Sequence, residues 1–383
     1  MNSSPLAIRG LGALSALGND MAAHRAAMLS RTPALRPLGG LLGAEHPLAA
    51  LPAGWIEPRA MLAHRKWAPF TIAAMHAARE AADDAGWTRE MLADAALVFA
   101  SSRGNAAGWV DPWPGRRPFP VMAASNSMTA EPATAITIEL GIKGPCHVLS
   151  TGCSAGIDAL GIASLILSAR AAPRAMVVAV DLPLAPRILD AYHHSGMLST
   201  NGLNDPYSRN SSGMLPAEGA AAIAVEPAND TSNNPLFLGH ISNSDAENPI
   251  GMPPDGAPIA RLLTMATRQF GTPAAVCPHA GGTPTLATAE PAAMLSAFPE
   301  PPPLIILKPL AGHCIAAAAL LESVMIADSL RNHRLAPSPK GLTPPESIPL
   351  ISTPQPARGP VFKLASGLGG HNSLAAFAPP ATG

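Results

Sequence analysis

Cys153 is the residue with the clearest potential for nucleophilic chemistry. It follows Gly152 and precedes the small residues Ser154, Ala155 and Gly156, where a short apolar segment gives way to a helical pattern. N–H groups at the start of a helix favour a thiolate and can hold an oxyanion, and small neighbours leave room for a substrate. The alternative is a buried cysteine that packs as a small apolar side chain. The position between strand and helix favours the nucleophile.

Two histidines and a lysine lie in segments that could serve this nucleophile. His279 precedes a Gly-Gly pair, where the backbone can approach a ligand closely. His313 precedes a helical pattern, where an imidazole tends to stay neutral and can donate a hydrogen bond to a developing anion. Lys308 ends an apolar segment and would need a carboxylate if buried, for which Glu290 and Glu322 are candidates. Taken singly, each histidine could equally be structural.

The apolar patterns around Cys153 and His313 predict two strand–loop–helix units in an α/β protein. In each unit a buried strand leads through a tight loop into a mostly apolar helix. The two reactive side chains are therefore expected at the starts of comparable helices. The strands are predicted at 147–151, 176–181 and 304–307, the helices at 154–170 and 313–331, and a loop at 308–312.

The composition restricts the classes of protein. The chain has 383 residues, of which 48% are hydrophobic and 13% charged, which predicts a globular protein with a sizeable core. With 25 basic and 26 acidic residues the net charge is -1, so nucleic acid and anionic membranes are not expected partners. No apolar run is long enough to span a membrane, and the four cysteines form no CxxC pair. We expect a cytoplasmic protein without structural metal.

Five segments, in order from about residue 6 to residue 378, resemble the successive signatures of the β-ketoacyl-acyl-carrier-protein synthases. The Cys-His-His pattern is similar to the elongating branch of that family, because the priming branch has asparagine in place of His313. Thiolases share the fold but use a second cysteine near the C-terminal glycine turn, where this chain has none. The segments are LAIRGLGALSALGND, GIKGPCHVLSTGCSAG, HAGGTPTLATAE, KPLAGHCIAAAALLE and GLGGHNSLAAF.

The resemblance implies a thiolase-like, five-layer αβαβα fold made of two similar halves. Residues 1–228 would form the half that carries Cys153, and residues 235–383 the half that carries both histidines and the lysine. The implied activity is that of an acyltransferase, a 3-oxoacyl-carrier-protein synthase that joins malonyl-carrier protein to a cysteine-bound acyl chain by decarboxylative Claisen condensation. Such a reaction requires no metal or organic cofactor.

The resemblance also implies a role for each site residue. Cys153 would carry the acyl group, and His279 and His313 would stabilise the enolate left when the malonyl group loses carbon dioxide. Backbone N–H groups at Cys153 and near Leu368 would form an oxyanion hole. Lys308 would pair with Glu290 and set the electrostatics of both histidines. The implied supporting residues are Glu218, Thr283 and Glu290.

Five positions depart from the family pattern, and one of them is His371, a loop histidine where the family usually has threonine. Gly281 stands where the family has threonine, and Ala287 where it has an acidic residue. Met214 and Leu368 stand in place of two phenylalanines that gate the active site. A methionine and a leucine can be displaced more cheaply than rings, so we expect a wider or more deformable substrate entrance. The alternative is neutral drift in a packed loop.

The implied partners are acyl carrier protein, malonyl and acyl thioesters, and a second subunit. The subunit could be identical or a ketosynthase-like homologue, and in relatives it pairs along the strand before Cys153. The basic residues Arg59, Arg65 and Lys66 lie where relatives receive the acidic carrier. They could equally be ordinary solvated charges.

Three functions are compatible with these residues. The expected one is condensation in a specialised polyketide, polyene or fatty-acid-like type II pathway. A second is a non-condensing subunit comparable to chain-length factors, although those usually lack the cysteine. A third is an acyltransferase or thioesterase that releases the acyl group from Cys153 to water or an alcohol.

Overall fold

The structure is a computed structural model that describes residues 4–110, 128–229, 233–248, 251–346 and 348–380. Its strands comprise nine that join one large sheet and four of two residues that form two small ribbons. The strands are β1 (Leu6–Ser15), β2 (Arg36–Pro37), β3 (Pro52–Ala53), β4 (Ala96–Ala100), β5 (Cys146–Leu149), β6 (Ala175–Asp181), β7 (Gly219–Pro227), β8 (Leu236–Ser244), β9 (Ala275–Cys277), β10 (Arg334–Leu335), β11 (Gln355–Pro356), β12 (Val361–Gly367) and β13 (His371–Ala378).

Twelve α-helices are described, together with 3₁₀ turns at Arg59–Leu62 and Gly152–Ser154. The helices are α1 (Met21–Ser30), α2 (Gly39–Leu42), α3 (Pro69–Asp84), α4 (Arg89–Ala93), α5 (Ala106–Val110), α6 (Glu131–Leu140), α7 (Ala155–Ser168), α8 (Pro186–His194), α9 (Ala257–Phe270), α10 (Pro284–Ala297), α11 (Lys308–Ala311) and α12 (Ala316–Arg331).

The large sheet contains the same strand order twice. It runs β5-β4-β6-β7-β1-β8-β13-β12-β9, and the two halves meet where β1 pairs with β8. Read outwards from that junction, each half places its first strand beside its fifth, then its fourth, then its second. In the half that begins with β8, no regular strand occupies the third position among the described residues. Leu304 lies there instead and forms a bridge to Val276 of β9. Cys153 therefore follows the third position of the first half, and His313 follows the third position of the second half. The proposed division at 1–228 and 235–383 stays a prediction.

Alternating strand residues divide the core into layers, because successive side chains of a strand point to opposite faces. Leu97, Phe99 and Met176 pack with α3 and α6 in one cluster, whereas Val98 and Val177 pack with α7 and α12 in another. A third cluster joins the far face of the β9-β12-β13 region to α9 and α10. The order is helices, half-sheet, central helices, half-sheet, helices. The predicted five-layer αβαβα fold is confirmed.

Helices α7 and α12 form the central layer and pack closely. Every residue of α12 from Ala316 to Leu330 is buried, so the helix is enclosed on all sides. A Cβ added to Gly156 would lie 2.7 Å from the Ala316 carbonyl oxygen and 2.9 Å from Leu320 Cβ. Only glycine allows this approach. The two helices that follow the reactive side chains are thereby held side by side.

The predicted elements are confirmed in the first unit, with ends shifted by one to two residues, but the second unit differs. Within residues 304–307 only Leu304 forms bridges, and the segment does not continue as a regular strand because the Ile306 N–H donates to Ser338 Oγ at 3.0 Å rather than to a neighbouring strand. The predicted loop 308–312 contains the short helix α11. The helix predicted to start at His313 starts at Ala316, because Ile315 has a non-helical φ of 47° and the His313 carbonyl oxygen accepts a hydrogen bond from Ala217 N at 3.0 Å instead of from the next helical turn.

Strand β5 is less buried than expected. It occupies one edge of the sheet, and Cys146 and His147 are exposed. The prediction of a buried strand was wrong for the isolated chain, because within the described residues β5 has a neighbouring strand, β4, on one side only. In the described part of the chain, no helix has the length and apolar character needed to cross a membrane.

Candidate active site

Cys153 lies in the 3₁₀ turn that leads into α7, and 9% of its surface is exposed. Burial raises the pKa of its thiol to about 11, and the nearby ammonium of Lys308 only partly opposes this effect. The expectation that the helix start would favour the thiolate is wrong for the resting site, because loss of water dominates. At neutral pH the thiol is protonated, so a nucleophilic attack must pass its proton to a base.

His279 and His313 face this thiol. The Cys153 sulfur and one nitrogen of each imidazole lie within 4.8 Å of one another, and the ring centroids are 5.1 Å apart. Burial, followed by the positive charge of Lys308, holds the pKa of each imidazole well below its usual range. Both rings are therefore neutral. The structure brings together the three residues that the sequence singled out for chemistry.

The tautomer of His313 is set by the backbone. The Ile315 N–H donates to His313 Nδ1 at 3.0 Å, so that nitrogen is an acceptor. The proton of the neutral ring must then be on Nε2, which can donate to a substrate oxygen. His279 Nδ1 is buried and has no hydrogen-bond partner among the described residues.

Glu290 holds the loop that carries His279. Its carboxylate accepts hydrogen bonds from the backbone N–H groups of His279 at 2.6 Å and Ala280 at 2.9 Å, and from the Tyr207 hydroxyl at 2.9 Å. Ala280 has φ of 50°, a left-handed conformation that non-glycine residues rarely adopt. The predicted ion pair between Lys308 and Glu290 is wrong, because Glu290 is used to hold this backbone turn.

Lys308 pairs instead with Glu322 of α12. The Lys308 Nζ to Glu322 Oε1 distance is 2.5 Å, and Lys363 Nζ lies 2.6 Å from the other carboxylate oxygen. All three side chains are buried. Sequence analysis did not single out Lys363, although a lysine inside the apolar strand VFKLASG was a signal that could have identified it.

The predicted oxyanion hole lies where two glycine turns meet. Gly152 has φ of 62°, and a Cβ there would lie 3.7 Å from Leu368 N. A Cβ added to Gly367 would lie 2.9 Å from the Thr151 carbonyl oxygen and 3.4 Å from Cys153 N. The backbone nitrogens of Cys153 and Leu368 are thus neighbours. A side chain at Gly367 would force the two segments apart, whereas the constraint at Gly152 is its left-handed backbone conformation.

A cavity of about 300 Å³ opens onto the cluster. Met214 and Leu368 both line it, one buried and the other 40% exposed, so the two positions predicted for the entrance border one space. A Cβ at Gly281 would lie 2.9 Å from Leu286 Cδ1 and 3.1 Å from the His279 ring. Leu286 therefore fills the room that a threonine would need.

The remaining predicted residues have mainly structural contacts. Thr283 caps the start of α10 and lines the cavity. Glu218 is buried, lies outside the residues that line the cavity, and pairs with Arg59. Arg59 is thus engaged within the chain, whereas Arg65 and Lys66 are exposed. The docking role of these three basic residues stays a prediction.

Two buried or partly buried aspartates that the sequence did not single out hold the site elements. Asp181, at the end of β6, accepts a hydrogen bond from Ala316 N at 2.8 Å, at the start of α12. Asp158, on α7, accepts from Thr151, Ser154 and Ser373, among others. The turn that carries Cys153 is thereby joined to β13, and β6 is joined to α12.

Cys153, His279 and His313 could in principle ligate a metal ion, since their donor atoms lie close together. The two ammonium groups of Lys308 and Lys363 stand behind the histidines and share a single carboxylate, Glu322. The excess positive charge opposes a divalent cation and favours an anion. The expectation that the reaction uses no metal or cofactor stays a prediction.

The chain matches two family models. "Beta-ketoacyl synthase, N-terminal domain" covers residues 55–231, and "Beta-ketoacyl synthase, C-terminal domain" covers residues 236–341. Together they span more than half of the chain.

Among curated proteins, the chain is 26% identical over 265 residues to the tetracenomycin polyketide synthase ketoacyl synthase alpha subunit of Streptomyces glaucescens, covering 63% of this chain and 62% of that subunit. It covers only 5% to 13% of three longer polyketide synthases. It is 25% identical to 3-oxoacyl-[acyl-carrier-protein] synthase 2 of Staphylococcus aureus, covering 97% of this chain and all of that protein.

Two solved structures have the same fold. One is a type II polyketide synthase acyl-carrier protein in complex with its ketosynthase bound to the hexaketide, with a TM-score of 0.84, 21% identity, and coverage of 99% of this chain and 100% of that one. The other is the ishigamide ketosynthase/chain length factor, with a TM-score of 0.84, 19% identity and the same coverage.

Proposed function

The chain belongs to the β-ketoacyl synthase family, and from that premise we propose that it is a condensing β-ketoacyl-acyl-carrier-protein synthase. It extends an acyl chain on Cys153 with a malonyl unit from acyl carrier protein. The observation that carries the proposal is the grouping of the Cys153 sulfur with one nitrogen of each neutral imidazole within 4.8 Å. This set supplies a nucleophile, a proton acceptor and hydrogen-bond donors at one point of a cavity.

The first step is acyl transfer to the enzyme. The Cys153 sulfur attacks the thioester carbonyl carbon, the carbon–sulfur bond to the carrier breaks, and the carrier thiol leaves with the proton that Cys153 loses. Because the thiol pKa is about 11, a neutral imidazole must relay this proton. The negative oxygen of the tetrahedral intermediate is held by the backbone N–H groups of Cys153 and Leu368.

The second step is decarboxylation and condensation. The malonyl thioester loses carbon dioxide, and the electron pair of the broken carbon–carbon bond remains as an enolate whose oxygen accepts hydrogen bonds from His279 and His313. The enolate carbon attacks the acyl carbonyl on Cys153, the new carbon–carbon bond forms, and the sulfur leaves and takes up a proton from solvent. His313 suits the donor role because its Nε2 carries the proton.

The rival function is a non-condensing partner subunit like a chain-length factor. The neutral histidine pair, the buried lysines and a cavity that reaches Cys153 all favour a condensing subunit, because a subunit that only shapes a tunnel has no use for them.

The relatives favour a specialised type II polyketide or fatty-acid-like pathway. Met214 and Leu368 at the cavity favour a wide range of acyl chains.

We propose acyl carrier protein and a second subunit as partners. The exposed edge of β5 and the exposed Leu165 of α7 form one face that a copy of this chain or a homologue would cover. The exposed side chains of Arg65 and Lys66 are suited to an acidic carrier.

The test is intact-mass spectrometry after incubation with acyl-loaded carrier protein. Wild type should gain the acyl mass, Cys153→Ala should not, and Met265→Ala, which changes an exposed residue outside the cavity and the proposed subunit interface, should behave as wild type. Malonyl carrier protein should then yield a product two carbons longer. Absence of acylation in folded wild type, alone or with a ketosynthase-like partner, would favour the non-condensing subunit. Acylation followed by release without extension would favour the acyltransferase or thioesterase.

A further inference from the structure

Lys363 is a fully buried lysine in the middle of β12, with none of its surface exposed. Its ammonium lies 2.6 Å from Glu322 Oε2 and donates to the carbonyl oxygens of Pro278 at 3.0 Å and Leu364 at 2.7 Å. The three partners match the three donors of an ammonium group. Burial disfavours the charge, but Cys277 and Glu322 outweigh it and raise the pKa of Lys363. The side chain is charged at neutral pH.

Two lysines thus share one buried carboxylate. Lys308 binds one oxygen of Glu322 and Lys363 binds the other. The group of three carries one net positive charge behind the two neutral histidines. In a buried region this charge acts more strongly than it would in water.

The position of Lys363 connects the parts of the site. The carbonyl that it holds belongs to Pro278, the residue immediately before His279. Its strand continues four residues further to Gly367, which borders the turn of Cys153. Glu322 belongs to α12, the helix that follows His313.

We propose that Lys363 is a positioning residue of the condensation: its buried positive charge favours the anionic malonyl and enolate states beside the histidine pair, and its hydrogen bond to the Pro278 carbonyl oxygen holds the His279 loop. The inference rests on the proposed function and deepens it, because it assigns a residue that favours decarboxylation and that also affects the pH range in which a histidine can accept the Cys153 proton.

The charge balance of the site makes the inference testable. Removing the Lys363 charge leaves Lys308 and Glu322 neutral as a pair, so a proton on either imidazole is opposed less, and the pKa of both rings should rise. A protonated imidazole can neither accept the proton of Cys153 nor keep the tautomer set by Ile315. The acid limb of the acylation rate plotted against pH should therefore move to higher pH. The titratable and charged groups around the rings are Cys153, Asp181, Tyr207, Cys277, Glu290, Lys308, Glu322 and Lys363.

The experiment measures the two half-reactions separately between about pH 5 and pH 9. Acylation of Cys153 is followed by intact mass, and decarboxylation of malonyl carrier protein by carbon dioxide release. For Lys363→Met we expect decarboxylation to fall about 10- to 100-fold, acylation at pH 8 to stay within about threefold, and the acid limb of acylation to move to higher pH. The matched control is Lys340→Met, which changes an exposed lysine and should leave both rates as in wild type.

A double variant separates charge from structure. Lys363→Met with Glu322→Gln restores one net positive charge through Lys308, so its acid limb should return towards that of wild type. The double variant also buries fewer charged groups than the wild type. It can therefore be tested even if Lys363→Met alone does not fold. An equal fall of both half-reactions, or a double variant with the same acid limb as Lys363→Met, would overturn the inference. Wild type that releases no carbon dioxide would instead contradict the proposed function.

Discussion

At the scale of residues, the site depends on what burial does to three side chains. Loss of water raises the pKa of Cys153 to about 11 and, with Lys308 nearby, holds the pKa of both histidines well below the usual range. The resting site is therefore a neutral thiol facing two neutral imidazoles. In this state proton transfer occurs only with attack on a substrate, and the donors to an enolate oxygen are uncharged.

The first prediction concerns the reactivity of Cys153 towards iodoacetamide. Because the thiolate is the reactive form and its pKa is about 11, the rate of alkylation should rise steadily from pH 7 to pH 10 without a plateau. Peptide mapping by mass spectrometry would follow Cys153 separately from the other three cysteines. A plateau near neutral pH would mean that the resting nucleophile is a thiolate, contrary to the effect of burial.

The second prediction separates His313 from the acyl-transfer step. In His313→Ala the donor on Nε2 is lost, so decarboxylation of malonyl carrier protein should fall about 10²- to 10³-fold. Acylation of Cys153 should be affected less, because the backbone oxyanion hole remains. Carbon dioxide release and intact mass measure the two steps, and His193→Ala, at an exposed histidine, is the control. Equal losses in both steps would assign His313 to acyl transfer as well.

At the scale of elements, the site is assembled by turns and close helix packing. Cys153 and His313 follow equivalent positions in the two half-sheets, and α7 and α12 bring these positions together in the central layer. Gly156 and Gly367 allow separations that side chains would prevent, and Gly152 allows the left-handed backbone turn before Cys153. The geometry of the cluster therefore depends on residues that take no part in the chemistry.

The third prediction tests this packing. In Gly156→Ala the new methyl group would meet the Ala316 carbonyl oxygen and Leu320, so the free energy of unfolding should fall by about 1–3 kcal/mol. Chemical denaturation followed by circular dichroism measures it. Gly359→Ala is the matched control, since a Cβ there has no neighbour nearer than 3.6 Å and its effect should stay within about 0.5 kcal/mol. A Gly156→Ala protein as stable as the control would show that the helices separate easily.

At the scale of the whole molecule, the face that contains the β5 edge and Leu165 is exposed in the single chain. β5 forms the edge of a nine-stranded sheet, and Leu165 of α7, which is 63% exposed, shares a groove with Leu149 of β5. An unpaired edge next to exposed apolar side chains is typical of an interface. We propose that a second subunit, identical or homologous, covers it.

The fourth prediction follows from that face. Wild type should sediment as a dimer, and Leu165→Lys should weaken the dimer at least tenfold, because it places a charge in the proposed interface. Met265→Lys, at an exposed apolar residue on the outer helix α9, should leave the association unchanged. Analytical ultracentrifugation provides the measurement. A wild-type monomer at all concentrations would contradict the homodimer, and co-expression with a ketosynthase-like homologue would then test the heterodimer.

From the sequence alone, apolar periodicity indicated the α/β class, and the residue types and spacing singled out Cys153, His279 and His313 as candidates. The resemblance to the β-ketoacyl-acyl-carrier-protein synthases implied the family and the five-layer fold. These inferences were possible because apolar periodicity and short motifs are local properties of the chain. The tertiary structure alone decided which carboxylate neutralises Lys308, that Lys363 shares it, and that β5 lies at an edge. It also decided the direction of the Cys153 pKa. The physical reason is that ion pairing and loss of water depend on distances between residues far apart in sequence, which local patterns do not encode.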